Sequence, residues 1–228
     1  MENTAIHKAC ALSGLLFSII FALAWWPLAQ FFPPHSPGWD ATAVAEFYQA
    51  RTTSVRFGMM LAMFSAALLM SWAAALAIQM RRIEGSHPIL SYVQVMAGAG
   101  SMLFFTLPPM LWTLAAFRPE RHIEVTLAIH DFGWLMVVMA VPAAIMQNLS
   151  FALAILSDKR ENPLFPRWSG YLNIWVALLF LPSGLITFFK DGPFAWDGAV
   201  AFWLPAIGFF TWIMVTTPLL FRAIDRPN

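Results

Sequence analysis

Charge is scarce in this sequence. Asp, Glu, Lys and Arg make up 11% of its 228 residues, against roughly 25% in a soluble domain. Such a chain cannot cover a water-soluble fold with polar groups, and its 60% hydrophobic content and mean hydropathy of +0.67 place it in a membrane. Cysteine is nearly lacking. The single Cys10 excludes a disulfide framework and any zinc site built on cysteines. Basic runs are missing and the arginines are scattered, so nucleic acid is not a partner. There is no glycine-rich phosphate loop, and Ser183-Gly184 lacks the flanks of a nucleophile elbow. Histidine is sparse too: His7, His35, His87, His122 and His130. Membrane di-iron sites need more. A bis-histidine haem needs two at one depth on facing helices, and of these only His130 falls beside a membrane run. His35, His122, Glu124 and His130 have no helical ligand spacing. No metal and no cofactor are expected.

What the chain has in quantity is long apolar runs. About 20 apolar residues cross the hydrocarbon, and six runs meet that length, at about 10–32, 52–80, 90–117, 125–156, 170–189 and 198–220. The expected fold is all-α: one transmembrane domain, residues 1–228, a bundle of six helices. Ala9 to Ala24 imitates a signal peptide, but the run continues through Trp25-Trp26 to Phe32 and is long enough to span. Pro33 to Trp39 is a loop punctuated by proline and glycine, and Ala41 to Tyr48 reads as a short interfacial helix. No internal repeat of the kind common in transporters is evident. Small residues crowd the second and third runs (Ser65-Ala66-Ala67, Ala73 to Ala77, Ala97 to Ser101), as close helix packing requires. The methionines Met59, Met60, Met63 and Met70 read as packing rather than as soft-metal ligands.

Lysine and arginine set the orientation. With six spans the two termini and the loops 80–89 and 157–169 share one side. That side holds Lys8, Arg81, Arg82, Lys159, Arg160, Arg167, Arg222 and Arg226, eight of the thirteen basic residues. The positive-inside rule puts both termini in the cytoplasm.

Three features then gather in the outer half. Pro108-Pro109, Pro182 and Pro205 lie near the outer ends of spans three, five and six, and the carbonyls they free need a partner or a cavity. Ionisable residues enter the membrane at matching depths: Arg51 and Arg56 on span two, Asp131 on span four, Lys190 at the end of span five. Asp131 and Arg56 are expected to pair, because a lone charge at that depth is costly. Pro119 suits the first turn of a helix, and if the fourth helix starts there, Glu120, Glu124, Asp131 and Trp134 share one face. Aromatic residues crowd the same side. Trp112, Trp134, Trp196 and Trp203 are candidate ligand-binding residues beside Arg51, Arg56 and Lys190. Asp131 or Glu124 is the candidate acid/base, with Arg56 or Lys190 orienting a polar group.

The segments Gln79 to Gly85, Phe165 to Tyr171 and Lys190 to Trp196 resemble segments of a family of bacterial six-span membrane proteins of unknown function. The resemblance covers most of the chain. It implies a bacterial inner membrane and attaches no activity. The expected function is binding or conversion of a small lipophilic molecule in a pocket in the outer half, with membrane lipids and that hydrophobic ligand as partners. A small permease and an accessory subunit without its own site stay open as alternatives.

Overall fold

Apolar runs broken by proline and glycine fold into six helical spans, each long and apolar enough to cross a membrane: Thr4–Leu28, Ala41–Glu84, Ile89–Phe117, Ile123–Ser157, Arg167–Phe188 and Ala199–Asp225. A computed structural model describes residues 2–227, and among them the secondary structure is helical throughout. Span one is α1 (Glu2–Leu23) ending in a π turn, Ala24–Leu28. Span two is α2 (Ala41–Ala66) with α3 (Leu68–Glu84), and span three is α4 (Ile89–Phe117). Span four is α5 (Ile123–Met139) with α6 (Pro142–Ser157). Span five is α7 (Arg167–Phe180) ending in a 3₁₀ segment, Leu181–Phe188. Span six opens with a π turn, Ala199–Trp203, and continues as α8 (Leu204–Asp225).

Local chemistry explains the ends. Asp40 caps α2 by accepting the Ala43 N–H at 2.8 Å. Gly85, at φ +75°, closes α3 behind Arg81 and Arg82, which suit the negative end of a helix. The Glu84 carboxylate then accepts the Leu90 and Ser91 N–H groups at 2.7 and 2.8 Å, tying α3 to α4. Both termini lie at one end of the bundle. Lys8 pairs with Asp225 at 2.6 Å, and Arg82 donates to the Ala223, Arg226 and Pro227 carbonyls at 2.7 to 2.9 Å. The opposite end, called distal below, carries the turns 29–40, 118–122 and 189–198.

α4 is the central helix, packed against α2, α3, α5 and α6. At Gly98 it packs tightly against α3. A Cβ there would lie 2.6 Å from the Ala73 Cβ and 3.0 Å from Gln147 Nε2, so only glycine lets the backbones meet. Near the termini end Trp72 and Trp212 meet edge to face, ring centroids 4.8 Å apart, and each indole N–H finds a partner, Thr217 and Asn173. The outside is as apolar as the inside. Leu12, Leu16, Ile19 and Leu23 form one stripe of α1 and are all about half exposed. Such a stripe suits lipid as its neighbour, and would be costly in water.

The expected helix Ala41 to Tyr48 is present as a helix of its own: a kink at Arg51 (φ −130°, ψ 21°) inside α2 separates it from the helix that follows, and Val44, Phe47 and Tyr48 are buried in the protein. Two local expectations change. Pro119 does not start span four: it sits in a turn, and α5 begins at Ile123. Glu120 therefore shares no helix face with Asp131. Span four is also not one helix. Pro142 has no N–H to give the Val138 carbonyl, and the chain breaks at Ala140–Val141 before α6 starts.

Candidate functional site

Irregular backbone segments of spans one, four, five and six gather around one cavity. Pro27 lies in the π turn of span one, Pro142 follows the break in span four, Pro182 opens the 3₁₀ segment of span five, and Pro205 follows the π turn of span six. Irregular backbone at membrane depth persists only where it is buried in protein or lines a cavity, and π turns recur at functional sites. Here the irregular segments line an apolar cavity of about 130 Å³. Trp25 comes from the first π turn, Val141 from the break, Ser183 from the 3₁₀ segment, and Ala201 and Phe202 from the second π turn. Ser101, Phe104 and Phe105 of α4 form the opposite wall, and Phe209 and Phe210 of α8 close one side. Apart from Ser101 and Ser183 the lining is hydrocarbon and aromatic ring.

A crevice of about 400 Å³ lies beside the cavity, between spans one and six, along Ser18, Ala22, Trp26, Ile207 and Met214. Trp26, Ile207 and Met214 are among the most exposed apolar residues, so the crevice faces outward from the bundle. Phe21, Trp25, Phe32, Ala206 and Phe210 belong to both cavities. The crevice and the inner cavity thus share one wall of side chains.

A layer of rings covers the cavity on the distal side. Trp25 reaches into it, with centroids 5.6 Å from Trp112 and 5.8 Å from Trp134. Phe31 lies between Trp112, at 4.6 Å, and Trp134, at 5.9 Å. At the centre of the layer is His130. Its Nε2 accepts the Trp134 Nε1–H at 3.1 Å. An indole only donates, so that imidazole nitrogen carries the lone pair and a neutral ring carries its hydrogen on Nδ1. Nδ1–H then donates to the Tyr48 hydroxyl at 2.9 Å. Trp112 donates to the His130 carbonyl at 3.2 Å, and it reaches that carbonyl because residue 133 is glycine: a Cβ there would collide with the Trp112 indole. His35 stacks on His130 with centroids 5.3 Å apart and on Trp39 at 4.5 Å.

His35 also holds its own loop. Its Nε2–H donates to the carbonyl of Gln30, a residue at φ +59°, at 2.9 Å, and the Trp196 indole donates to the His35 carbonyl at 2.7 Å. Burial, offset by the bond to the Gln30 carbonyl and reinforced by the charge of Arg51, lowers the His35 pKa from 6.5 to about 4. The ring is neutral at pH 7, and its Nδ1 is buried without a partner.

The candidate residues scatter relative to this geometry. Trp112 and Trp134 are fully buried in the covering layer, and Trp196 stacks on Trp134 with centroids 6.4 Å apart. Trp203 borders the lateral crevice. Arg51 donates from Nε to the Gln30 side chain at 2.6 Å and lines an open distal groove with Glu46 and His35. Arg56 is exposed on α2 and lies over the Phe117 ring at 5.4 Å. Lys190 and Glu124 are exposed, and Asp131 is partly exposed on α5. None of the nine lines the inner cavity. The ion pair expected between Arg56 and Asp131 is not formed. Among the described residues the ion pairs are Lys8–Asp225 and Asp158–Arg160, both at the termini end.

His35, Tyr48 and Trp25 were not among the candidates. One signal was legible: His130 and Trp134 are four residues apart and so share a helix face. The partners of that pair come from a loop and from α2, and no spacing reports them. His35 and His130 meet, while His122 and Glu124 stay exposed at the start of α5.

Comparison with protein-family models, with curated proteins and with solved structures gives no match for this chain.

Proposed function

We propose that this protein binds a small lipophilic molecule in the inner cavity and takes it up sideways from the bilayer between spans one and six. The observation that carries the reading is the wall shared by the cavity and the outward-facing crevice: Phe21, Trp25, Phe32, Ala206 and Phe210. A lipophile dissolved in the membrane meets that wall without crossing water. The lining offers two hydroxyls and no titratable side chain. It supports binding, for storage, sensing or delivery, over acid–base conversion by Asp131 or Glu124. In this proposal the bundle lies in a bacterial inner membrane with both termini cytoplasmic, which puts the cavity and its covering layer in the outer half.

The test is small-molecule mass spectrometry of material that co-purifies with the protein. A lipophilic compound is expected with the wild type, and its loss with Ala206→Phe, which fills the shared wall. Equal recovery from both proteins would sink the proposal. A second reading, a small permease, draws on the buried amide seam of Gln94, Gln147, Asn148 and Ser150, where Gln94 Nε2 and Asn148 Oδ1 lack partners. That path predicts transport of a polar solute that Ala206→Phe leaves intact.

A further inference from the structure

Among the described residues five buried side-chain polar atoms lack a hydrogen-bond partner, and two of them, on Trp25 and Ser101, lie in the cavity wall. Six tryptophans are buried. Trp72, Trp112, Trp134, Trp196 and Trp212 each donate the indole N–H to a protein acceptor. Trp25, 6% exposed, does not: its Nε1 is buried with no partner. The serines repeat the pattern. Buried Ser13, Ser65, Ser150 and Ser169 bond back to carbonyls three residues earlier, Ser91 bonds to Glu84, and Ser183 bonds to the Ala201 carbonyl. Ser101, 5% exposed, is the one buried serine whose hydroxyl has no partner. A buried serine on a helix commonly turns its hydroxyl back to its own backbone, so an unspent one stands out. Both exceptions line the same cavity.

An unmade hydrogen bond in an apolar interior is costly. Two of them in one apolar cavity mark a place where something else supplies the partner. An indole N–H only donates and a hydroxyl can donate, so the missing partner is an acceptor. The surrounding rings exclude an ionised one, because no cationic side chain lines the cavity to offset its charge. Size adds a limit. A cavity of about 130 Å³ compares with the roughly 150 Å³ cavity known to take up benzene. The adjoining crevice of about 400 Å³ has room for a flexible apolar tail.

We propose that the occupant is a neutral lipophile with a one-ring head bearing a carbonyl oxygen and an apolar tail. The head fills the inner cavity, the carbonyl accepts from Trp25 Nε1–H and the Ser101 hydroxyl, and the tail leaves through the wall between spans one and six. This rests on the cavity-binding reading above and adds the chemistry of the ligand to it.

The experiment uses two tritiated probes of one shape, 4-decylcyclohexanone and decylcyclohexane, with the full chain in detergent. The ketone should bind about tenfold more tightly, the worth of a hydrogen bond to a buried donor that is otherwise unpaired. Trp25→Phe keeps a ring and deletes the N–H. It should remove most of the ketone's advantage over the hydrocarbon, read as the ratio of the two affinities in the same variant. Ser101→Ala should reduce the same ratio and serves alone if Trp25→Phe does not fold. Equal affinity of the two probes for the wild type overturns the carbonyl proposal and leaves cavity binding standing. So does an advantage that survives in both variants. If neither probe binds, both proposals are overturned.

Discussion

His35 belongs to a loop, yet its ring is packed between Trp39 and His130 and the residue is 6% exposed. Its charge state therefore matters to the distal end. The folded pKa, about 4, lies below the 6.5 of a free histidine. Between those values the unfolded chain takes up a proton that the folded chain refuses, so stability falls as pH drops through that window and is unaffected above it. The full loss is about 3 kcal/mol at 1.36 kcal/mol per unit. The melting temperature in detergent should drop between pH 7.5 and 4.5, and His35→Gln, which can still donate to the Gln30 carbonyl, should flatten part of that drop. An identical pH profile in the variant would show that His35 does not titrate in this window. Nothing in the sequence announced this residue. Loop residues carry no periodicity, and the partners of His35 come from positions as distant as Trp196.

At the scale of elements, the spans were legible and their interruptions only partly so. Hydrophobic run length marks a membrane-length helix because the hydrocarbon thickness is fixed. Proline marks a fault in a helix but not its outcome. Pro108 and Pro109 sit within α4, which runs on to Phe117, whereas Pro142 divides α5 from α6, Pro27 lies inside one π turn and Pro205 follows another. The difference is what neighbouring helices do with the freed carbonyls and the displaced side chains. The break before Pro142 puts Val137, Val138 and Val141 on the cavity wall. Pro142→Ala restores the N–H missing opposite the Val138 carbonyl and lets α5 and α6 join. The expected result is a higher melting temperature with weaker retention of the co-purifying lipophile. A lower melting temperature with retention unchanged would mean that packing, not the missing N–H, holds the break open.

For the whole molecule, charge along the chain predicts a direction that packing alone leaves open. Eight of the thirteen basic residues fall at the termini end. A cytoplasm-dependent reporter fused after Asn228 should be active, and activity of a periplasm-dependent reporter there would refute the orientation. Six spans, their lengths and the side that faces the cytoplasm can be argued from sequence because each depends on one segment meeting one solvent. The site is a different kind of object. Arg56 and Asp131 look matched by depth, but depth gives no position around the bundle, and the two form no ion pair. Trp25 carries no signal of its own in the sequence, and only the folded bundle sets it against Trp112 and Trp134, in the same cavity wall as Ser101, and leaves its N–H unpaired. Run length and composition measure how a segment partitions between water and lipid, a sum over local side chains. Which side chains meet, and which polar atoms are left without partners, depends on helix rotation, tilt and the faults at four prolines. Tertiary packing decided those together.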